Sequence, residues 1–147
     1  MPTYLLLAPA NRLSPAQKAR AAAEITRVHN EITGAASFFA QVIVHEVPAG
    51  NYFLGGRPLA SDQLFLHGQI RAGRSALDRQ RLLFALRDVV AAAAGAARHS
   101  VWVYLLDLPA RDMIEYGRVL PEPGDEQAWL NNLPEADLAF LRGLGEA

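Results

Sequence analysis

The chain has no cysteine among its 147 residues. Disulfides and thiolate chemistry are thereby excluded, and a reducing, cytoplasmic setting suits such a sequence. Net charge is nearly absent as well: 14 basic against 15 acidic side chains leave −1, so no field of one sign draws nucleic acid or an acidic membrane surface. Long hydrophobic runs are missing. The alanine-rich stretch 89–97 is far shorter than the roughly 20 residues that span a bilayer, and Gly95 interrupts it. The amino terminus lacks the basic and apolar regions of a signal peptide. His45, His67 and His99 are scattered without metal-ligand spacing, so no metal centre is expected. What the chain does have is apolar content, 51% of its residues. That suffices for one core burying roughly 70% of the unfolded surface. The expectation is a soluble, cytoplasmic protein made of a single domain, 1–147.

The apolar run Tyr4 to Leu7 reads as a short strand. In "LSPAQKARAAAEITRVHNEITG", Ser14 is a good N-cap, Pro15 suits the first helical position and Gln17 completes a capping box. Ala21, Ile25, Val28 and Ile32 follow at helical spacing, and Gly34 fits the residue just past the helix end. "FFAQVIVHEV" reads as a strand ending at Pro48, and residues 48–62 as a Gly/Pro loop, with Gly55-Gly56 outside any phosphate-binding motif. The same order then recurs. "QLFLHGQI" is a strand, "RAGR" a turn, and Ser75 a cap with Asp78 three residues on. Leu82, Leu86, Val89 and Ala93 form a helical stripe that Gly95 ends, and "VWVYLLD" is the closing strand.

Ser14 and Ser75 lie 61 positions apart, and the same shift sets Thr3 on Leu64 and Phe39 on Ser100. Three elements sharing one offset predict two β-α-β units in tandem, about 2–47 and 63–107, followed by a C-terminal segment 108–147. Each unit has parallel strands and a right-handed crossover. Paired about a pseudo-twofold axis, the two give an α/β (α+β) fold: a four-stranded mixed sheet with both helices on one face. Yet the strands are apolar almost throughout, the pattern of strands buried on both faces. Copies of the same chain are the economical cover for the second face.

If the first strands of the two units pair antiparallel at the sheet centre, Pro2 comes beside Arg71 and Arg74 at one rim. Loss of the initiator methionine, usual before a small residue, gives Pro2 a secondary amine with a reference pKa near ~8. Such a group exchanges protons near neutrality. Two guanidinium groups hold a carboxylate in forked hydrogen bonds. Taken singly, the other polar residues read more plainly: His29 as a half-buried surface histidine, Tyr104 as core, and Glu115 as a solvated loop residue.

Two fused β-α-β units, an N-terminal proline and the "RAGRS" turn resemble the tautomerase superfamily. Over nearly the whole chain the likeness is to its cis-3-chloroacrylic acid dehalogenase branch. "TRVHNEITG" with His29, "VWVY" with Tyr104, "MIEYGRVLPEPG" with Glu115 and "QVIVHEVPAGNYFLGG" carry it. Ile70 departs from it, standing before Arg71 where that branch has a polar residue. The resemblance implies a homotrimer that needs no cofactor and acts on a small carboxylate substrate. It further implies that Arg71, Arg74 and His29 bind the carboxylate. Glu115 and Tyr104 activate a water, and protonated Pro2 supplies a proton to carbon. The products are those of hydration or dehalogenation. The alternatives are a keto-enol tautomerase in which Glu115 is idle, and a ligand-binding trimer without catalysis on the same fold.

Overall fold

Two serines start the two long helices by the same device. The Ser14 hydroxyl accepts from the Gln17 amide (3.2 Å) and the Gln17 side-chain carbonyl accepts from the Ser14 amide (3.0 Å). This closes the capping box of α1, Pro15–Thr33. The Ser75 hydroxyl accepts from the Asp78 amide (3.0 Å) and donates to the Asp78 carboxylate (2.7 Å), starting α2, Ala76–Ala94. Both helices end at a left-handed glycine, Gly34 (φ 70°) and Gly95 (φ 62°), each donating its amide to a carbonyl four residues back. The computed structural model describes residues 2–144.

Four strands form the main sheet: β1 (Thr3–Pro9), β2 (Gln41–Val47), β5 (Leu64–Arg71) and β6 (Val101–Leu108). Their order is β2-β1-β5-β6. β1 runs parallel to β2, and β5 runs parallel to β6. β1 and β5 pair antiparallel at the centre, from Thr3↔Gln69 to Leu7↔Phe65. The mixed sheet expected from the tandem units is the one observed.

The repeat extends further than the sequence suggests. Residues 48–62 are more than the loop expected there: β3 (Phe53–Leu54) and β4 (Arg57–Pro58) form a small hairpin. Its turn is Gly55 (φ 60°) and Gly56 (φ 75°), both in the positive-φ region that a two-residue type I′ turn demands. Sixty-one residues on, β7 (Ile114–Glu115) and β8 (Arg118–Val119) repeat it around Tyr116 (φ 53°) and Gly117 (φ 75°). Two short helices complete the C-terminal segment, α3 (Glu126–Asn131) and α4 (Glu135–Leu144).

The core lies between the helices and one sheet face. Tyr4, Leu6, Ala8, Leu64, Leu66 and Ile70 alternate inward and meet Ile25, Val28, Leu82, Leu86 and Val90. The helical stripes are shifted slightly from expectation. α1 buries Ala21, Ile25, Val28 and His29, and in α2 Val90 rather than Val89 is fully inside. On the other sheet face the register aligns Ile43, Leu5, His67 and Tyr104 in one row and His45, Leu7, Phe65 and Trp102 in the next. Ile43, Trp102, Tyr104 and Leu106 are each at least 43% exposed there in the single chain. A smaller cluster of Phe39, Ala110 and Leu120, with Met113 and Trp129 against it, fixes the C-terminal segment. Among the described residues no helix is long and apolar enough to cross a membrane.

Candidate active site

Pro2 is buried just before β1, and its carbonyl accepts from the Gln41 amide at 2.9 Å. The antiparallel register brings this start of β1 to the end of β5, where Arg71 is the last strand residue. Three residues on, in the turn that leads to α2, is Arg74. Its Nη1 donates to the Thr33 carbonyl (2.8 Å), and the Thr33 hydroxyl donates to the His29 carbonyl (2.7 Å). The end of α1 is thus tied to the arginine turn. Arg71, Arg74 and residues 33–36 line a cavity of about 360 Å³, together with Phe39, Glu126 and Leu130.

His29 is only 4% exposed, so the half-buried surface histidine expected from its position in the helix is corrected. Its Nδ1 lies 2.8 Å from the Tyr4 hydroxyl. Burial, and then the charge on Arg74, lowers its pKa from 6.5 to about 4, so the ring is neutral at pH 7. Burial raises Tyr4 well above the ordinary phenol range, so that hydroxyl keeps its proton. Among the described residues His29 is the hydroxyl's one hydrogen-bond partner, so Tyr4 donates to Nδ1 and the ring's own N–H sits on Nε2. The Tyr4 ring fits because β5 has a glycine beneath it: a Cβ on Gly68 would lie 2.5 Å from Tyr4 Cε1.

Glu115 stands on β7 in an adjoining cavity of about 850 Å³, lined also by Thr3, Phe39, Gln41, Leu108 and Tyr116. Phe39 lines both cavities. The Tyr116 hydroxyl donates to the Phe38 carbonyl (2.6 Å), which ties the β7–β8 turn to this wall. Tyr104 is elsewhere. It is neither core nor near the arginines, but 55% exposed on the open sheet face with its ring against Phe65. The single chain therefore gathers Pro2, His29, Arg71, Arg74 and Glu115 about one end of the sheet and leaves Tyr104 apart.

Sequence reasoning missed Glu126. Its Oε1 is ion-paired with Arg71 Nη2, while Arg71 Nη1 donates to the Pro121 carbonyl (2.7 Å). Partial burial, the largest single effect, pushes the Glu126 carboxyl up, but the hydrogen bond and charge of Arg71 together with the backbone amides of Gly124 and Glu126 outweigh it and hold the carboxyl below its ordinary value. Among the described residues Arg74 has no ion-paired carboxylate, although the charges of Glu126 and Asp78 reach it. Burial, then the Arg71 charge, lowers its pKa, a penalty that an incoming anion relieves. No spacing rule marks Glu126, because α3 reaches Arg71 only through the tertiary fold.

The pseudo-twofold axis implies a second such locus, and its residues differ. Sixty-one positions from Pro2 is Gln63, and from His29 is Val90; Ala10, Leu13 and Leu54 stand where the other half has Arg71, Arg74 and Glu115. There Arg12 donates to the Ala94 carbonyl (3.1 Å), much as Arg74 does to Thr33, but Asp62 already pairs with it. Among the described residues the candidate constellation is present at one end of the sheet and not repeated at the other.

A family model described as "Putative oxalocrotonate tautomerase enzyme" matches residues 1–132. The crystal structure of N1, a member of the cis-3-chloroacrylic acid dehalogenase family, is 33% identical and superposes with a TM-score of 0.92, covering 96% of this chain and 99% of that one. The chain belongs to the tautomerase superfamily, in its cis-3-chloroacrylic acid dehalogenase-like branch. Another superfamily structure, a native fused 4-OT, is 25% identical with a TM-score of 0.74, over 86% of this chain and 97% of that one. A fused 4-OT that forms an asymmetric trimer, 24% identical, has a TM-score of 0.75 over 86% and 98% of the two chains. No curated protein matches the sequence.

Proposed function

We propose that this tautomerase-superfamily chain is a cofactor-independent enzyme that adds water to a small α,β-unsaturated carboxylic acid. The observation that carries the reading is the gathering of Arg71, Arg74, neutral His29 and Glu115 around the Pro2 end of β1. The substrate carboxylate lies on the arginine side of Phe39, held by Arg74 and by the Nε2–H of His29. Arg71 supports this positive end and draws electron density toward the carboxylate. Glu115, on the other side, removes a proton from a water whose oxygen bonds to the β-carbon. Once Met1 has been removed, the Pro2 ammonium gives its proton to the α-carbon. The product is a β-hydroxy acid. With a halogen on the β-carbon, the adduct loses halide and a proton and becomes an aldehyde acid.

Tyr104 enters only if copies associate. The open face that carries it has two rows of apolar and aromatic side chains, and a homotrimer that buries this face accounts for them. Tyr104 of the partner subunit then orients the water. The fused 4-OT relatives and the family model's description favour a second reading, enol–keto tautomerisation, in which Pro2 alone shuttles a proton.

Glu115→Gln separates the two. It keeps the shape and removes the base, so hydration should fall by roughly 10²- to 10⁴-fold, the range for a positioned acid–base group, while enol ketonisation is kept. If both activities fall together, Glu115 is not the base for water.

A further inference from the structure

The arginine cavity already contains a carboxylate. Glu126 Oε1 is paired with Arg71 Nη2, and its Oε2 accepts from the Gly124 amide at 2.8 Å. Three further contacts show that this is a built part of the site. The Pro121 carbonyl takes the other Arg71 nitrogen, Nη1, at 2.7 Å. Pro123 packs on the arginine turn at Gly73: a Cβ there would lie 2.8 Å from Pro123 Cγ, and the φ of 107° also demands glycine. Trp129, on the same short helix as Glu126, donates its indole N–H to the Val119 carbonyl (2.9 Å) and rests against Phe39, the wall of the cavity. Arg71 itself is 3% exposed. A guanidinium so deeply buried needs a carboxylate partner, and with the Gly124 amide, Pro121, Pro123 and Trp129 holding this segment the proposal below takes Glu126 to remain that partner when ligand enters.

The charge of the cavity follows. Of the residues lining it, Arg71 and Arg74 contribute +2 and Glu126 contributes −1; beside it His29 is neutral at pH 7, and the Pro2 ammonium and Glu115 carboxylate of the proposed reaction offset each other. One positive charge is left, centred on Arg74. We propose that Glu126 is the specificity-determining residue of this site: it limits the cavity to acids bearing one carboxylate and repels a second. The proposal rests on the reading that the arginine cavity binds the substrate's carboxylate. A second carboxylate in about 360 Å³ cannot withdraw far from Glu126. At such separations like charges near a protein surface discriminate by about 10- to 100-fold.

The test is direct binding, so it does not depend on turnover. Dissociation constants for crotonate and for fumarate, matched acids with one and two carboxylates, are measured by calorimetry on the wild type, Glu126→Gln and Glu126→Asp. The wild type and Glu126→Asp should prefer crotonate. Glu126→Gln should shift the preference toward fumarate by about tenfold or more, mainly through tighter fumarate binding. Raising salt from about 20 to about 500 mM should narrow the wild-type preference, because the charges are partly exposed. An unchanged ratio in Glu126→Gln overturns the proposal. So does an equal gain for both acids, which makes Glu126 a displaced placeholder, and so does a wild type that binds neither. A ratio that shifts in a protein with no hydratase activity retains the charge role of Glu126 and rejects the reaction. Hydration with no shift in ratio does the reverse.

Discussion

Gly68→Ala tests how the backbone of β5 sets the chemistry at His29. A Cβ at this position would lie 2.5 Å from Tyr4 Cε1, 2.8 Å from Tyr4 Cδ1 and 2.7 Å from Leu105 Cδ2. Tyr4 is fully buried in the core, so its ring cannot swing into solvent. Overpacking of this kind costs about 1–3 kcal/mol. If the ring shifts far enough to take its hydroxyl off His29 Nδ1, a buried pair is left unmade at about 1–3 kcal/mol more. Against this, alanine in a strand is favoured over glycine by about 0.5–1 kcal/mol. The clash wins, by roughly 1–5 kcal/mol in all, and thermal unfolding should move down by about 3–15 °C. Tyr4→Leu in the same chain should relieve the clash and give a non-additive double mutant, whereas Tyr4→Phe, which keeps the ring, should not. An unchanged or raised melting temperature in Gly68→Ala would refute the reasoning, because relief of strand glycine alone predicts that sign.

Two further outcomes follow from the burial pattern. The unfolded chain protonates His29 near pH 6.5 and the folded chain only near pH 4, so stability is full above about 6.5 and is lost as pH falls toward 4. The stability difference between wild type and His29→Gln, followed by urea unfolding, should therefore shrink by about 3 kcal/mol between pH 7 and pH 4; a constant difference removes the buried neutral histidine. Leu5 lies mid-row on the open face between Ile43 and His67, so Leu5→Glu should dissociate the proposed trimer in light scattering while leaving a folded monomer by circular dichroism. A variant that scatters as the wild type does places the contact between copies elsewhere.

The repeat, the caps and the ends of both long helices are local matters, and they are legible for that reason. Ser14, Gln17, Gly34, Ser75 and Gly95 each act on backbone groups within a few residues. The pairing of β1 with β5 was also within reach, since two tandem β-α-β units leave few ways to close one sheet. The second hairpin was not. Its turn has Tyr116 where the first has Gly55, and a tyrosine at φ 53° carries none of the usual glycine signal. His29 misled for a related reason: a polar side chain beside an apolar stripe reads as half-exposed until the Tyr4 hydroxyl is known to meet it.

By itself the sequence determined the α/β architecture, the place of Pro2 at the head of the first strand and the two arginines where the third main strand passes into its turn, because hydrophobic period, capping and the 61-residue offset are all written along the chain. Only the tertiary structure decided what those residues face. It put Glu126, 55 positions away, on the Arg71 guanidinium, sent Tyr104 to the open side of the sheet, and made His29 neutral. Local order follows from neighbours in sequence, whereas charge, protonation and access follow from groups that meet only when distant segments pack and exclude water.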